Sequence, residues 1–203
     1  MTSYDSTETT LQHIARVQFL LTQISTDLML RGQAHDASKL IEPEKSAFDR
    51  ATPALAAATY GTPAYEAAKA QLGDALTHHY AHNAHHPEHH APITSPAIDQ
   101  MRADLNVLQR LTDTGKRPDS AELAVIHRAH AQLQHDLLIA QSRINRMSLL
   151  DILEMLADWK AAGERTANGD LAASLAFNRG RHAIGDQLAQ ILDTTARELG
   201  WIV

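Results

Sequence analysis

Cysteine is absent from all 203 residues. No disulfide can staple this fold and no thiolate can hold a metal, so any bound cation must rest on nitrogen and oxygen donors. Aromatic residues make up only 4% of the chain, and it has few glycines and prolines. That composition is poor in strand and tight-turn formers and favours helices. No apolar run approaches the roughly 18 residues that a membrane span needs, and Met1 to Glu8 has neither a basic nor an apolar segment. The expectation is a cytoplasmic protein with no membrane contact. A net charge of −6 argues against general nucleic-acid binding, yet leaves room for a local basic pocket that takes a phosphate. The length suits one core, hence a single all-α domain over residues 1–203.

What the chain does have is histidine. Seven of its thirteen histidines fall between His78 and His90. Neutral imidazole is a borderline-soft donor that needs little deprotonation near pH 7, which makes it the commonest protein ligand for zinc, iron, copper and nickel. On a helix through residues 76–86, His79, His82 and His86 share one face, as do His78, His82 and His85. Pro87 stops that helix near His86, so His79, His85 and His86 are the preferred ligands, ahead of His89 and His90. The bland reading is a solvated His-rich turn that picks up metal adventitiously.

Ahead of this cluster, Leu11, Ile14, Val17, Leu21, Ile24 and Leu28 recur at helical spacing, which predicts a long amphipathic helix from about Thr9 to Gly32. His13 lies beside the stripe, where a histidine more often packs or caps than ligates. His35-Asp36 follows, a doublet that can place an imidazole and a carboxylate on one cation when the backbone bends, with Lys39 available as a compact counter-charge for a phosphate oxygen. Glu42-Pro43-Glu44 reads as a helix start with Glu44 in the first turn, its carboxylate a cap or, being near the doublet, a proton acceptor. Residues 51–64 read as a loop, and Tyr65 to Leu76 as the helix delivering the histidines. Residues 98–146 carry two apolar stripes, Ile98/Met101/Leu105/Leu108 and Ile126/Leu133/Leu137/Ala140/Ile144, around a breaker at 114–119; this is a helical hairpin, read as a dimerisation arm, a lid, or two further packed helices. His127, His130 and His135 on it read as structural or exposed. Ser148 and Asp151 form a capping-box variant. On the helix they open, Asp151, Glu154 and Asp158 share a face that is either solvated or aimed at the site, and Glu154 or Asp151 can orient a ligating imidazole from behind. A last helix, Asp170 to Leu199, carries Arg181, suited to bidentate phosphate capture or to a surface salt bridge.

Three motifs stand together: His35-Asp36-Ala37-Ser38-Lys39, the stretch from His78-His79 to His85-His86-Pro87-Glu88, and Glu154-Met155-Leu156-Ala157-Asp158-Trp159. Jointly they resemble the HD superfamily of metal-dependent phosphohydrolases, and more closely a set of uncharacterised bacterial and phage proteins sharing His-Asp-x-Ser-Lys, His-His-Pro-Glu and Glu-Met-x-x-Asp-Trp. The resemblance spans roughly residues 13–182, with 98–146 looking like an insertion, and it speaks to a fold and a metal more directly than to a reaction. It implies an HD-like helical bundle with an inserted hairpin, in the cytoplasm of a bacterium or a phage-infected host. It also implies one or two divalent transition metals (Fe, Mn, Zn, Co or Ni) held by His13, His35, Asp36, His79, His85, His86 and Asp158. The expected activity is hydrolysis of a nucleotide or other small phosphoester by a metal-held hydroxide. Lys39, Arg181 and Glu154 are the candidate catalytic groups, and a homodimer through 98–146 is the candidate assembly. The alternatives are a di-iron oxygenase on the same scaffold and a non-catalytic, metal-stabilised interaction protein.

Overall fold

A computed structural model describes residues 4–113, 120–165 and 169–202. These residues form nine α-helices and no strands, as an all-α chain requires. The helices are α1 (Thr7–Ala34), α2 (Lys45–Ala57), α3 (Pro63–Ala70), α4 (Asp74–His82), α5 (Pro96–Asp113), α6 (Ser120–Gln141), α7 (Leu149–Glu164), α8 (Leu171–Arg181) and α9 (Asp186–Glu198), with 3₁₀ turns at Ala37–Leu40, Pro87–His89 and Arg143–Arg146.

The main core gathers around α7. Its buried face, Ile152, Met155 and Leu156, packs against Ile144, Met147, Leu171, Ile184, Leu192 and Ala196, with Trp159, Leu175, Leu188 and Trp201 closing the edges. Ser148 caps α7 through a reciprocal box: its hydroxyl accepts from the Asp151 amide while the Asp151 carboxylate accepts from the Ser148 amide. Burying three large side chains on α7 is worth several kcal/mol at about 1.5–3 kcal/mol each, so this helix is the fixed reference for what surrounds it. A smaller core joins α2 to the segment around α4: Ala47, Ala51, Leu72 and Ala75, flanked by Phe48, Leu55 and Leu76.

Four boundaries differ from the sequence reading. Residues 51–57 continue α2 rather than looping, with Pro53 inside the helix at an exposed position; the surrounding alanines have the highest helix propensity, and Ala51 is buried against the second core. The expected Tyr65–Leu76 helix is two helices, α3 and α4, divided at Gly73, whose φ of 50° is accessible to glycine without a Cβ penalty. α4 stops at His82, four residues before the expected limit, with Asn83 as the C-terminal cap. The long final helix is likewise two, α8 and α9, broken where Ala183 takes φ 47°. The hairpin forms as expected: α5 and α6 pack mainly on each other, while the breaker at 114–119 lies outside the described residues.

Candidate metal centre

The His35-Asp36 doublet sits just past the end of α1, where the backbone reverses. His35 is the C-terminal cap, and Asp36 takes a left-handed conformation at φ 56° before the Ala37–Leu40 turn. A non-glycine residue there is uncommon and carries a conformational cost of order 1–3 kcal/mol. The turn brings the Asp36 carboxylate to the buried histidines: Oδ1 lies 3.4 Å from His79 Nε2 and 3.6 Å from His85 Nε2, while His35 Nε2 lies 3.5 Å from Oδ2. α4 supplies His79. His85 and His86 come from the turn after it, closed by the His86 amide donating to the Asn83 carbonyl. α7 supplies Asp158, whose Oδ1 is 3.4 Å from His35 Nε2.

Two sets of potential ligand atoms result, Asp36/His79/His85/His86 and His35/His85/Asp158, each with its atoms within 4.8 Å of one another, and they share His85. Around them stands a second layer that fixes which ring nitrogen faces inward. Glu44, fully buried, accepts from Nδ1 of His79 (2.9 Å) and of His78 (2.7 Å) and from the Ser38 hydroxyl (2.9 Å). One oxygen of Glu154 accepts from Nδ1 of His35 at 3.1 Å and lies 3.1 Å from Nδ1 of His85. Arg31 of α1 holds Asp151 at 2.6 Å and the other Glu154 oxygen at 3.4 Å. The Asn83 amide donates to Ser38 Oγ and to the His79 carbonyl, pinning the turn to the doublet.

A carboxylate on Nδ1 requires the proton there and leaves the Nε2 lone pair pointing into the site. Burial drives His79 and His85 below the ordinary histidine range, and pushes His86 down to about 2; all three are therefore neutral, the form that ligates metals. Asp36 is ionised: burial works to raise its carboxyl, but Lys39, 2.6 Å from Oδ2, outweighs it and holds the value at about 2. The centre thus gathers a carboxylate, the inward Nε2 atoms of His79 and His85, and the neutral ring of His86. Two of these atoms, Asp36 Oδ1 and His85 Nε2, are buried with no hydrogen-bond partner. His79 Nε2 and His86 Nε2 lie only 2.9 Å apart. Converging unpartnered acceptors are costly unless a cation sits between them, so this donor set fits a divalent metal, and one of the nitrogen- and oxygen-binding type. The second set is different. The Asp158 hydrogen bond, opposed by burial, lifts His35 to about 9; a cation bound there must first displace the His35 proton.

The other sequence candidates divide. His13 is exposed on α1, 22 positions before His35, which at 1.5 Å per residue is roughly 33 Å along the helix; it cannot reach this centre. Glu154 has one oxygen at the His35 and His85 rings and the other at Arg31, a position from which a carboxylate can orient imidazoles. Arg181 is bound to the Tyr60 hydroxyl (2.9 Å) and to Glu88 (3.0 Å), and reaches the cluster through Tyr80, whose ring packs against His86 at 5.0 Å. His78 and His82 stack on each other outside the centre, and His89 and His90 bond to the backbone carbonyls of Tyr80 and Ala84. The residues that sequence reading undervalued are Glu44, read first as a helix cap, Asn83, present in the resembling pattern but given no role, and Arg31, which was not singled out. The signals were a carboxylate close to the doublet, an asparagine within the histidine motif, and an arginine four residues before the doublet.

Residues 2–113 match the family described as "Family of unknown function (DUF5662)"; this is more than half of the chain, and the protein belongs to that family. The matched stretch holds the whole Asp36/His79/His85/His86 set and ends before α7. No curated protein and no solved structure matches the chain. Among the described residues no helix is long and apolar enough to cross a membrane.

Proposed function

We propose that this chain is a metal-dependent phosphohydrolase of the HD type, acting on a nucleotide or another small phosphoester. The observation that carries the reading is the pair of buried, unpartnered acceptors, Asp36 Oδ1 and His85 Nε2, grouped with the ring nitrogens of His79 and His86. When bound there, a divalent ion supplies Lewis acidity, which polarises a phosphoryl oxygen and lowers the pKa of water. The chain's own contribution is placement. Lys39 occupies Asp36 Oδ2 and leaves Oδ1 for the ion; Glu44 and Glu154 fix the imidazole orientations; Lys39 and Arg181 set positive charge beside a site built of acceptors, where a phosphoester anion would otherwise be repelled. The net reaction adds water across a P–O ester bond, the leaving alcohol taking the proton. With Nδ1 turned to Glu154, His85 offers one lone pair and can serve only one of the two ligand sets at a time, which favours a single ion.

One observation favours a second reading. Asp36, His79, His85 and His86 are four protein ligands, the number that closes a tetrahedral structural zinc site; a six-coordinate ion in the same set keeps positions open. The test is elemental analysis of tag-free protein beside Asp36→Ala, both dialysed against a weak chelator, then a phosphoester panel on the loaded protein. Near-stoichiometric metal in the parent, lost in the variant, with phosphoester cleavage that needs the metal, is the expected result. Metal absent, or held equally by both proteins, overturns the centre. One tetrahedral zinc with no cleavage supports the structural reading, and two irons with dioxygen consumption support oxidation.

A further inference from the structure

α4 buries His79 but leaves two other histidines, His78 and His82, outside the centre, one helical turn apart, His78 half-buried and His82 exposed. Their rings are stacked, with centroids 3.9 Å apart and planes 20° apart. Each ring is held by the same nitrogen. His78 Nδ1 lies 2.7 Å from Glu44 Oε1, and His82 Nδ1 lies 2.8 Å from the His78 carbonyl oxygen. Both partners are acceptors, so each Nδ1 carries a proton and donates it. In the neutral ring the lone pair is then on Nε2. Among the described residues neither of these two Nε2 atoms has a hydrogen-bond partner.

Two imidazoles at i and i+4 on one helix face are the spacing by which a helix presents a pair of ligands to one zinc ion. Nitrogens held by one cation at about 2.0–2.1 Å in tetrahedral geometry stand about 3.3 Å apart. Rings whose centroids are 3.9 Å apart reach that separation by a small rotation of the exposed His82 ring. The surroundings favour a cation as well. A carboxylate behind Nδ1, as Glu44 stands behind His78, raises the basicity of a ligating imidazole. His82 ends α4, where the helix dipole favours positive charge. Asp74, exposed one turn before His78 on the same face, adds negative charge beside the pair. His89 and His90 offer less, because their rings stand edge to face with centroids 5.1 Å apart.

We infer that His78 and His82 form a second, surface site for a divalent transition metal of the imidazole-binding class (Zn²⁺, Ni²⁺ or Cu²⁺), separate from the buried centre. Two protein nitrogens leave the other coordination positions to water, so an ion held there is open to exchange with solvent. Glu44 joins the two places: Oε1 stands behind His78 and Oε2 behind His79. The surface pair therefore collects cations one carboxylate away from the buried set. The inference does not depend on which metal fills the buried centre or on what is hydrolysed.

The test titrates tag-free full chain and its His82→Ala variant with Cu²⁺, read by electron paramagnetic resonance, and repeats the pair in an Asp36→Ala background that disables the buried centre. The parent is expected to take up a Cu²⁺ whose signal shows splitting by two imidazole nitrogens, in both backgrounds. His82→Ala, at an exposed ring and with unchanged far-ultraviolet dichroism, should bind it about tenfold or more weakly, because the second imidazole acts as an intramolecular ligand. Thr77→His/His78→Ala keeps the number of histidines but sets the two at i and i+5, about 140° apart around the helix, and should lose affinity to the same extent. Any of four results overturns the inference: equal uptake by the parent and His82→Ala; a spacing variant that binds as tightly as the parent, the mark of an adventitious ion only; a two-nitrogen signal lost in His127→Ala/His130→Ala on α6 instead; or loss of the His82-dependent Cu²⁺ in the Asp36→Ala background, which would make the two sites one.

Discussion

Replacing Glu154 gives a graded test of whether this carboxylate orients the imidazoles. One of its oxygens serves His35 and His85 together, and the other faces Arg31. Loss of a partner behind a ligating imidazole usually costs 10–100-fold in metal affinity. Glu154→Gln keeps an oxygen that can accept both Nδ1 protons but removes the charge that raises imidazole basicity, so the expected loss is about tenfold, or about 1.4 kcal/mol. Glu154→Ala frees both rings to rotate or change tautomer, so the loss moves toward 100-fold, about 2.7 kcal/mol. Fold stability without metal should change little in the Gln variant, because Arg31 keeps its shorter bond to Asp151 and a part-exposed ion pair is worth about 1 kcal/mol or less. Competition against a chromogenic chelator reads the affinity, and thermal unfolding in excess chelator reads the fold. Affinity equal to the parent in both variants would refute the orienting role. So would a Gln variant that binds metal as tightly as the parent at every concentration yet loses all turnover, since that is the mark of a proton carrier.

Three further outcomes follow from the same geometry. Metal at about 100 times its dissociation constant stabilises the folded state by about 2.7 kcal/mol, which for a chain of this size raises Tm by roughly 5–10 °C; in Asp36→Ala or His85→Ala differential scanning should show no such rise. Met155, 1% exposed at the centre of the main core, should cost about 2–5 kcal/mol as Met155→Ala, while Leu149→Ala, 64% exposed on the same helix, should stay within about 0.5 kcal/mol; denaturant titration separates them. Asp151 gives a pH signature: burial works to raise its carboxyl, but the hydrogen bonds from Arg31 and Ser148 outweigh burial and hold it below the ordinary range. A depressed carboxyl stabilises above its unfolded pKa of about 3.9 and loses that contribution as pH falls through the lower folded value. Chelator-treated parent should therefore weaken below about pH 4, and Asp151→Asn should be weaker at pH 7 with a flatter acid limb; identical limbs would sink the assignment.

The all-α class was legible because it rests on additive features: few aromatics, few breakers, and apolar spacing sustained over several turns. Both hairpin stripes and the Ser148–Asp151 box appear where the periodicity places them. Where the reading failed, tertiary context decided. Pro53 looked like a loop signal, but the alanines around it bury Ala47 and Ala51 in the smaller core and carry the helix through. Glycine at 73 and the Arg181–Gly185 segment each looked compatible with continuous helix, yet each is where the chain turns to bring the next helix onto a core.

The candidate centre shows why a histidine count cannot choose its ligands. Helical spacing offers two stripes, and both depend on a helix that reaches His86. It stops at His82 instead, because Asn83 turns its side chain back to the His79 carbonyl and across to Ser38. That one cap places His85 and His86 on a turn, where adjacent residues can aim at a common point as no helix allows. It also leaves His82 behind, bonded to the His78 carbonyl. What separates ligand from bystander is then the group behind each ring. His78 and His79 share Glu44, but only His79 also faces Asp36; His85 shares Glu154 with His35. Neither carboxylate is adjacent in sequence to the histidine it orients, so the selection is made by packing α2 and α7 against the turn, a long-range step that local spacing does not encode.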